Sequence, residues 1–214
     1  MSSLRDEPPI EPLLDTWGRF NDAARWRWSL RTRPASDEAP VLNAWGAGQV
    51  AEFLEALRPI ARVRQAFFNG PPDSPPLAVP EHTWNERQES HARFESALLE
   101  AVRTSPTPIT SAELRFDLYV WVRTPTSGAP VRGWVAGTAE SDLQFETRNP
   151  YGSLTMDHTL FRDGATYWDA NTTLHRLNSP LLRQALAAIE ARLGPIQEVE
   201  GLPDVTRTGF ESIR

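Results

Sequence analysis

A chain of 214 residues suits one globular domain with an appended arm, at the ~150 residues of a typical domain. Hydrophobic residues make up 40% and charged residues 23%, which argues against disorder along most of the length. The net charge is −6, every one of the 22 basic residues is arginine, and cysteine is absent, which excludes disulfide scaffolds, zinc ribbons and thiolate catalysis.

Pro8, Pro9 and Pro12 prevent regular helix at the start, so residues 1–12 read as a flexible terminus. Trp26, Trp28 and Leu30 alternate with Arg25, Arg27 and Ser29, the period of a strand, and residues 31–40 read as a loop. Val50, Phe53, Leu54, Leu57, Ile60 and Ala61 repeat at helical spacing. Pro59 lies inside that pattern, so a kink or restart is expected there, with the segment ending at Asn69-Gly70. Five prolines in residues 70–80 favour an extended connector. A second helix is expected from about Trp84 to Arg103, with Thr83 and Glu86 as its capping box and Trp84, His91, Phe94, Leu98 and Val102 on one face.

The period then changes to two. Leu114, Phe116, Leu118, Val120 and Val122 alternate with Arg115, Asp117, Tyr119, Trp121 and Arg123. A second strand follows from Val131 to Gly137, a third carries Leu143 and Phe145 after a turn at residues 138–141, and a fourth runs from Ser153 to about Phe161 beyond an Asn149-Pro150-Tyr151-Gly152 turn. Residues 166–177 are open between strand and loop. A final helix is expected to be capped by Ser179, to begin at Pro180 and to end at Gly194-Pro195. Ile196 to Glu200 would return to the sheet edge. The fold class is therefore α+β: an antiparallel meander of four to six strands with about three helices on one face. It forms a single domain over residues 13–200, with a weakly ordered tail over 201–214.

The residues that could carry chemistry are few. His82 with Glu86, and His91 with Glu95, have metal-compatible spacing, but each pair holds one histidine and no further ligand is identifiable. No metal or cofactor is expected, and His91 reads as a partly buried, hydrogen-bonded histidine. Asp157 and His158 alternate across a strand and cannot form a local acid-base pair. No G-x-S-x-G elbow is present, and Gly46-x-Gly48 reads as a turn starting a helix. Glu52 with Glu55, and Glu198 with Glu200, read as solvated carboxylates.

Eight tryptophans are more than a small core fully buries with every N–H satisfied. The wet side of the meander combines Tyr119, Trp121 and Trp134 with Arg115, Arg123, Arg132 and Arg148, and adds Asp117 and Glu146. Protein-recognition surfaces concentrate such aromatic and arginine anchors. The competing expectation is that the N-terminal segment or a helix covers this face. A non-catalytic protein-binding module follows, with Tyr119, Trp121, Trp134, Asp117, Glu146 and Arg132 as partner contacts. The alternatives are an enzyme whose site is assembled from His91, His158, His175, Asp157 or Asp169, and a structural subunit of a bacterial assembly.

The helix around Gly48 to Phe67, the tryptophan-bearing meander around Leu114 to Phe161 and the Ser179 to Gly194 helix together resemble the cytoplasmic immunity proteins of bacterial polymorphic-toxin systems. The resemblance implies a small α+β domain that binds a cognate toxin and occludes its active site, its acidic residues facing a basic toxin surface. The absence of lysine and the abundance of proline fit a GC-rich bacterial genome. An acidic chain is repelled by phosphate backbones, so nucleic acid is not expected as a partner. No apolar run reaches the ~18 residues of a spanning helix and no leader pattern opens the chain, so a cytoplasmic protein without a membrane partner is expected.

Overall fold

The computed structural model describes residues 7–10, 24–74, 77–79, 90–124, 127–146, 148–156, 161, 171–201 and 203–211. In the first half of the chain these residues form β1 (Ala24–Ser29), α1 (Ala39–Leu57), β2 (Ala61–Asn69), β3 (Leu77–Val79) and α2 (His91–Thr104). The second half forms β4 (Ser111–Thr124), β5 (Ser127–Gln144), β6 (Tyr151–Met156), α3 (Asn171–Arg192), β7 (Ile196–Glu200), β8 (Val205–Thr206) and β9 (Gly209–Phe210). Among the described residues, seven strands make one sheet in the order β3-β2-β4-β5-β6-β1-β7, with every pairing antiparallel. The helices lie on one face. The expected α+β class and helix placement are what the structure has, with β1, β3 and β7 widening the meander.

Alternation decides which side chains meet the helices. Leu114, Phe116, Leu118, Val120 and Val122 of β4 are all fully buried, as are Trp26 and Trp28 of β1. The Trp28 ring stacks on Phe53 of α1 at 5.2 Å, and Phe53 meets Phe116 edge-on at 5.8 Å. Each such side chain contributes roughly 1.5–3 kcal/mol by leaving water. Leu182, Ala185, Leu186, Ile189 and Leu193 form the buried stripe of α3. At the far edge, Trp26 donates its indole N–H to the Thr206 carbonyl at 2.7 Å and meets Phe210 edge-on, so the β8-β9 hairpin closes over β1.

Several boundaries differ from the sequence reading, each for a local reason. The first helix starts at Ala39 with Pro40 in its first turn and stops at Leu57. Pro59 therefore ends it outright, and Ala61–Asn69 is a strand, not a restarted helix. Gly46 and Gly48 are helix-interior residues, not a turn that starts the helix. The turn expected at residues 138–141 is instead a bulge in one continuous β5. Phe116 pairs with Ala139 and Leu118 with Val135, so three residues of β5 stand opposite Asp117. Gly137 takes φ +65° there, a left-handed conformation that glycine adopts without steric cost. β6 starts at Tyr151, so Tyr151 and Gly152 belong to the strand and not to the preceding turn.

The last helix differs most. It begins at Asn171 and carries Pro180 in its interior, so residues 171–177 are helical and Ser179 is a buried helix residue, not a cap. The proposed cap and start of the second helix, Thr83, Trp84 and Glu86, lie outside the described residues; α2 starts at His91.

Candidate functional site

Among the described residues the sheet's other face carries no helix, and it divides along the strands into two ends. At one end, cross-strand pairing assembles three polar rows. Asn69, Ser111, Gln144 and Tyr151 form the first; Phe67, Glu113, Asp142, Ser153, Arg27 and Glu198 the second; Gln65, Arg115, Glu140, Thr155, Arg25 and Glu200 the third. The central members of these rows, from Asn69, Ser111 and Glu113 across to Tyr151, Arg25 and Arg27, line a groove of about 500 Å³. Arg27 pairs with Glu198 at 2.6 Å, Arg115 with Glu113 at 3.2 Å and Arg25 with Glu200 at 3.5 Å. The Arg27 guanidinium also lies 4.7 Å from the Tyr151 ring centre. Gln144 donates to Asp142 at 2.7 Å, and Glu140 has no hydrogen-bond or ion-pair partner among the described residues. The rows thus set five carboxylates against three guanidiniums and hold the guanidiniums in place.

The other end is sealed. Arg62 and Asp117 are cross-strand partners and both are buried, Asp117 completely. Arg62 donates to Asp117 Oδ2 through Nη2 at 3.1 Å and Nε at 3.2 Å, and Arg64 approaches Oδ1 at 3.7 Å. Among the described residues Oδ1 itself accepts no hydrogen bond. Burial is the largest influence on Asp117 and raises its pKa above the ordinary 3.8, against the opposing pull of Arg62, then Arg64, and the Gly137 backbone. The Arg62 guanidinium stacks 4.2 Å from the Trp134 ring, Trp134 lies 5.1 Å from Tyr119, and Arg132 covers Tyr119 at 4.6 Å. Two neighbouring rings are thus flanked by a cation at each end of one column.

This geometry corrects part of the expected contact set. Trp134 is 2% exposed and Asp117 is 0% exposed, because Arg62 and residues 7–10 close over them: Arg62 donates to the Glu7 carbonyl at 2.6 Å, and Ile10 N–H donates to the Trp134 carbonyl at 2.7 Å. Neither residue is a surface contact. Tyr119 and Trp121 are half-buried and Arg132 is exposed. Glu146 is exposed but lines a separate cleft with Arg33, Trp45 and Phe145. Ser111, near that end of β4, is eight residues from Tyr119, roughly 25 Å of extended strand, so Glu146 and the aromatic column lie toward opposite ends of β4. The six residues do not form one patch. The covering segment is residues 7–10; the Trp26 and Trp28 strand is part of the sheet and points its indoles at the helices.

The catalytic candidates resolve differently. Asp157, His158 and Asp169 lie outside the described residues. His175 and Ser179 meet on α3, with Nδ1 and Oγ 2.9 Å apart. However, Nδ1 is also 2.6 Å from the Phe161 carbonyl, which can only accept, so Nδ1 carries the proton and is not the base that a serine nucleophile requires. The trio clamps the chain at Phe161 to the helix. His91 is hydrogen-bonded, as expected, but fully and not partly buried, with Nε2 3.0 Å from the Val63 carbonyl and Nδ1 3.5 Å from Glu95. Among the described residues no group of three or more potential metal ligands converges, and no helix is long and apolar enough to cross a membrane. Glu52 pairs with Arg192 and Glu55 with Arg58.

The polar rows were missed from sequence because strand order, not alternation, brings Arg25 and Arg27 beside Ser153 and Thr155. Arg62 was missed because its segment reads as helical; the Ala61, Val63 and Arg62, Arg64 alternation was the available signal. Comparison of the chain with protein-family models, curated proteins and solved structures finds no match.

Proposed function

We propose that this is a non-catalytic protein-binding module whose contact surface is the open end of the helix-free sheet face, and that it acts as an immunity protein, neutralising a cognate bacterial toxin by covering its active site. One observation carries the reading: three cross-strand rows place Glu113, Glu140 and Asp142 beside Arg27, Arg115 and Tyr151 on a face that no helix among the described residues covers. Their carboxylate excess suits a basic partner surface, and such complementarity speeds encounter and fixes register. The preset ion pairs reduce the side-chain ordering that association costs.

The test is charge reversal on that face. A Glu140→Lys, Asp142→Lys double variant changes two surface positions outside the core, so its thermal midpoint should stay within a few degrees of wild type. Its affinity for the product of the neighbouring gene, taken as the candidate toxin, should fall at least tenfold, with neutralisation falling in parallel. Unchanged affinity in the folded variant refutes the face. A neighbouring product that is not bound at all refutes the toxin assignment.

A further inference from the structure

Residues 7–10 lie across the sealed end of the open face as a bound peptide would. Trp134 pairs with Tyr119 on one side, and β6 pairs with β5 only from Ala139 to Gln144. The Trp134 carbonyl therefore points to an edge that β6 does not reach, and Ile10 N–H fills it at 2.7 Å. The Ile10 side chain turns to the helix side of the sheet and packs on the core, in a notch that exists because residue 133, the partner of Val120, is glycine: a Cβ there would come within 2.6 Å of Ile10 Cδ1. Arg62 Nη1 holds the Glu7 carbonyl at 2.6 Å. Between these anchors stand Pro8 and Pro9, which offer no N–H and are pre-ordered as extended chain, so the flanking residues must supply the hydrogen bonds, as they do. An arginine stacked on tryptophan beside an open strand edge combines two recurring ways of binding extended peptides.

The segment is only partly buried. Glu7 and Pro8 are exposed and Pro9 and Ile10 half-buried, while the Arg62–Asp117 pair beneath is made entirely within the sheet. We infer that this cleft is a recognition site for an extended Pro-Pro-aliphatic segment, occupied in the free protein by residues 7–10, and that a partner carrying such a segment binds by displacing them. The inference deepens the binding role proposed above, but its test needs no toxin, so the two fail separately.

The probe is a fluorescein-labelled peptide with the sequence of residues 1–12, titrated by anisotropy into full-length chains. Ile10→Asp releases the chain's own segment and leaves the notch open; Gly133→Val releases it and fills the notch. The peptide should bind Ile10→Asp saturably and should bind wild type at least tenfold more weakly, because a tethered competitor acts at an effective concentration of order millimolar. Gly133→Val should bind none. If Ile10→Asp does not fold, Ile10→Ser takes its place with the same outcomes. No saturable binding to the released chain, equal binding by Gly133→Val, or equal affinity for wild type overturns the inference.

Discussion

Gly152 shows how one residue fixes the seating of a large one. It is the cross-strand partner of Trp28, and a Cβ at that position would stand 2.5 Å from the indole ring. The indole is a rigid ring stacked on Phe53, and Leu143 Cδ2 would stand 2.7 Å away as well, so the added methyl meets two buried side chains at once. Gly152→Ala is expected to destabilise the fold by about 1–3 kcal/mol through overpacking, read as a lower urea midpoint with an unchanged slope. Asn178 is the converse case, a polar group buried because it completes a backbone. Its Oδ1 accepts from Trp121 N–H at 2.8 Å and its Nδ2 donates to the Trp121 carbonyl at 2.9 Å, satisfying β4 beyond the point where β2 stops pairing with it. Asn178→Ala leaves both groups without that partner, and a loss of about 1–3 kcal/mol is expected in the same measurement. Neither role is legible in sequence. Gly152 reads as a turn glycine next to Asn149 and Pro150, and Asn178 reads as the residue before a capping serine, because the partner of each is distant in the chain.

At the scale of elements, local signals worked where one rule acted alone and failed where a tertiary contact outweighed it. The β1 and β4 strands, the Gly194 helix stop and the β7 edge strand follow from alternation and from glycine and proline chemistry. Ser179-Pro180 obeys the rules for a helix start, yet Leu174, His175 and Asn178 bury against the rest of the molecule and extend α3 by more than two turns upstream of the proline. Asp117 illustrates the same override in electrostatics. An acid whose folded pKa lies above its unfolded value binds its proton more tightly when folded. The stability it contributes is complete below about 3.8 and is lost as pH rises through the raised value. Guanidinium midpoints of wild type and Asp117→Asn, compared between about pH 3 and pH 7, should therefore show wild type losing ground to the variant as pH rises. A gain with rising pH would reverse the assigned direction.

At the scale of the whole molecule, the sheet separates two tasks. One face buries its indoles and phenylalanines under three helices and supplies stability. The other has a column of arginines and rings that the chain's own residues 7–10 close, and an open polar end. The layer arrangement could be read from sequence, since segregated helices and short strand connections leave few topologies. The candidate site could be read only in part: the surplus of aromatic and arginine residues pointed to the helix-free face, but β1 inserting between β6 and β7 decides which charges become neighbours, and residues 7–10 decide which rings are lost to the surface. Hydroxyl-radical footprinting of the complex with the neighbouring-gene product tests this division most directly. The account predicts that Tyr151 and Phe67, on the polar rows, lose oxidation in the complex while Val41 and Trp45, on α1, keep theirs. Protection confined to α1, with Tyr151 and Phe67 oxidised as fast as in the free protein, would contradict it.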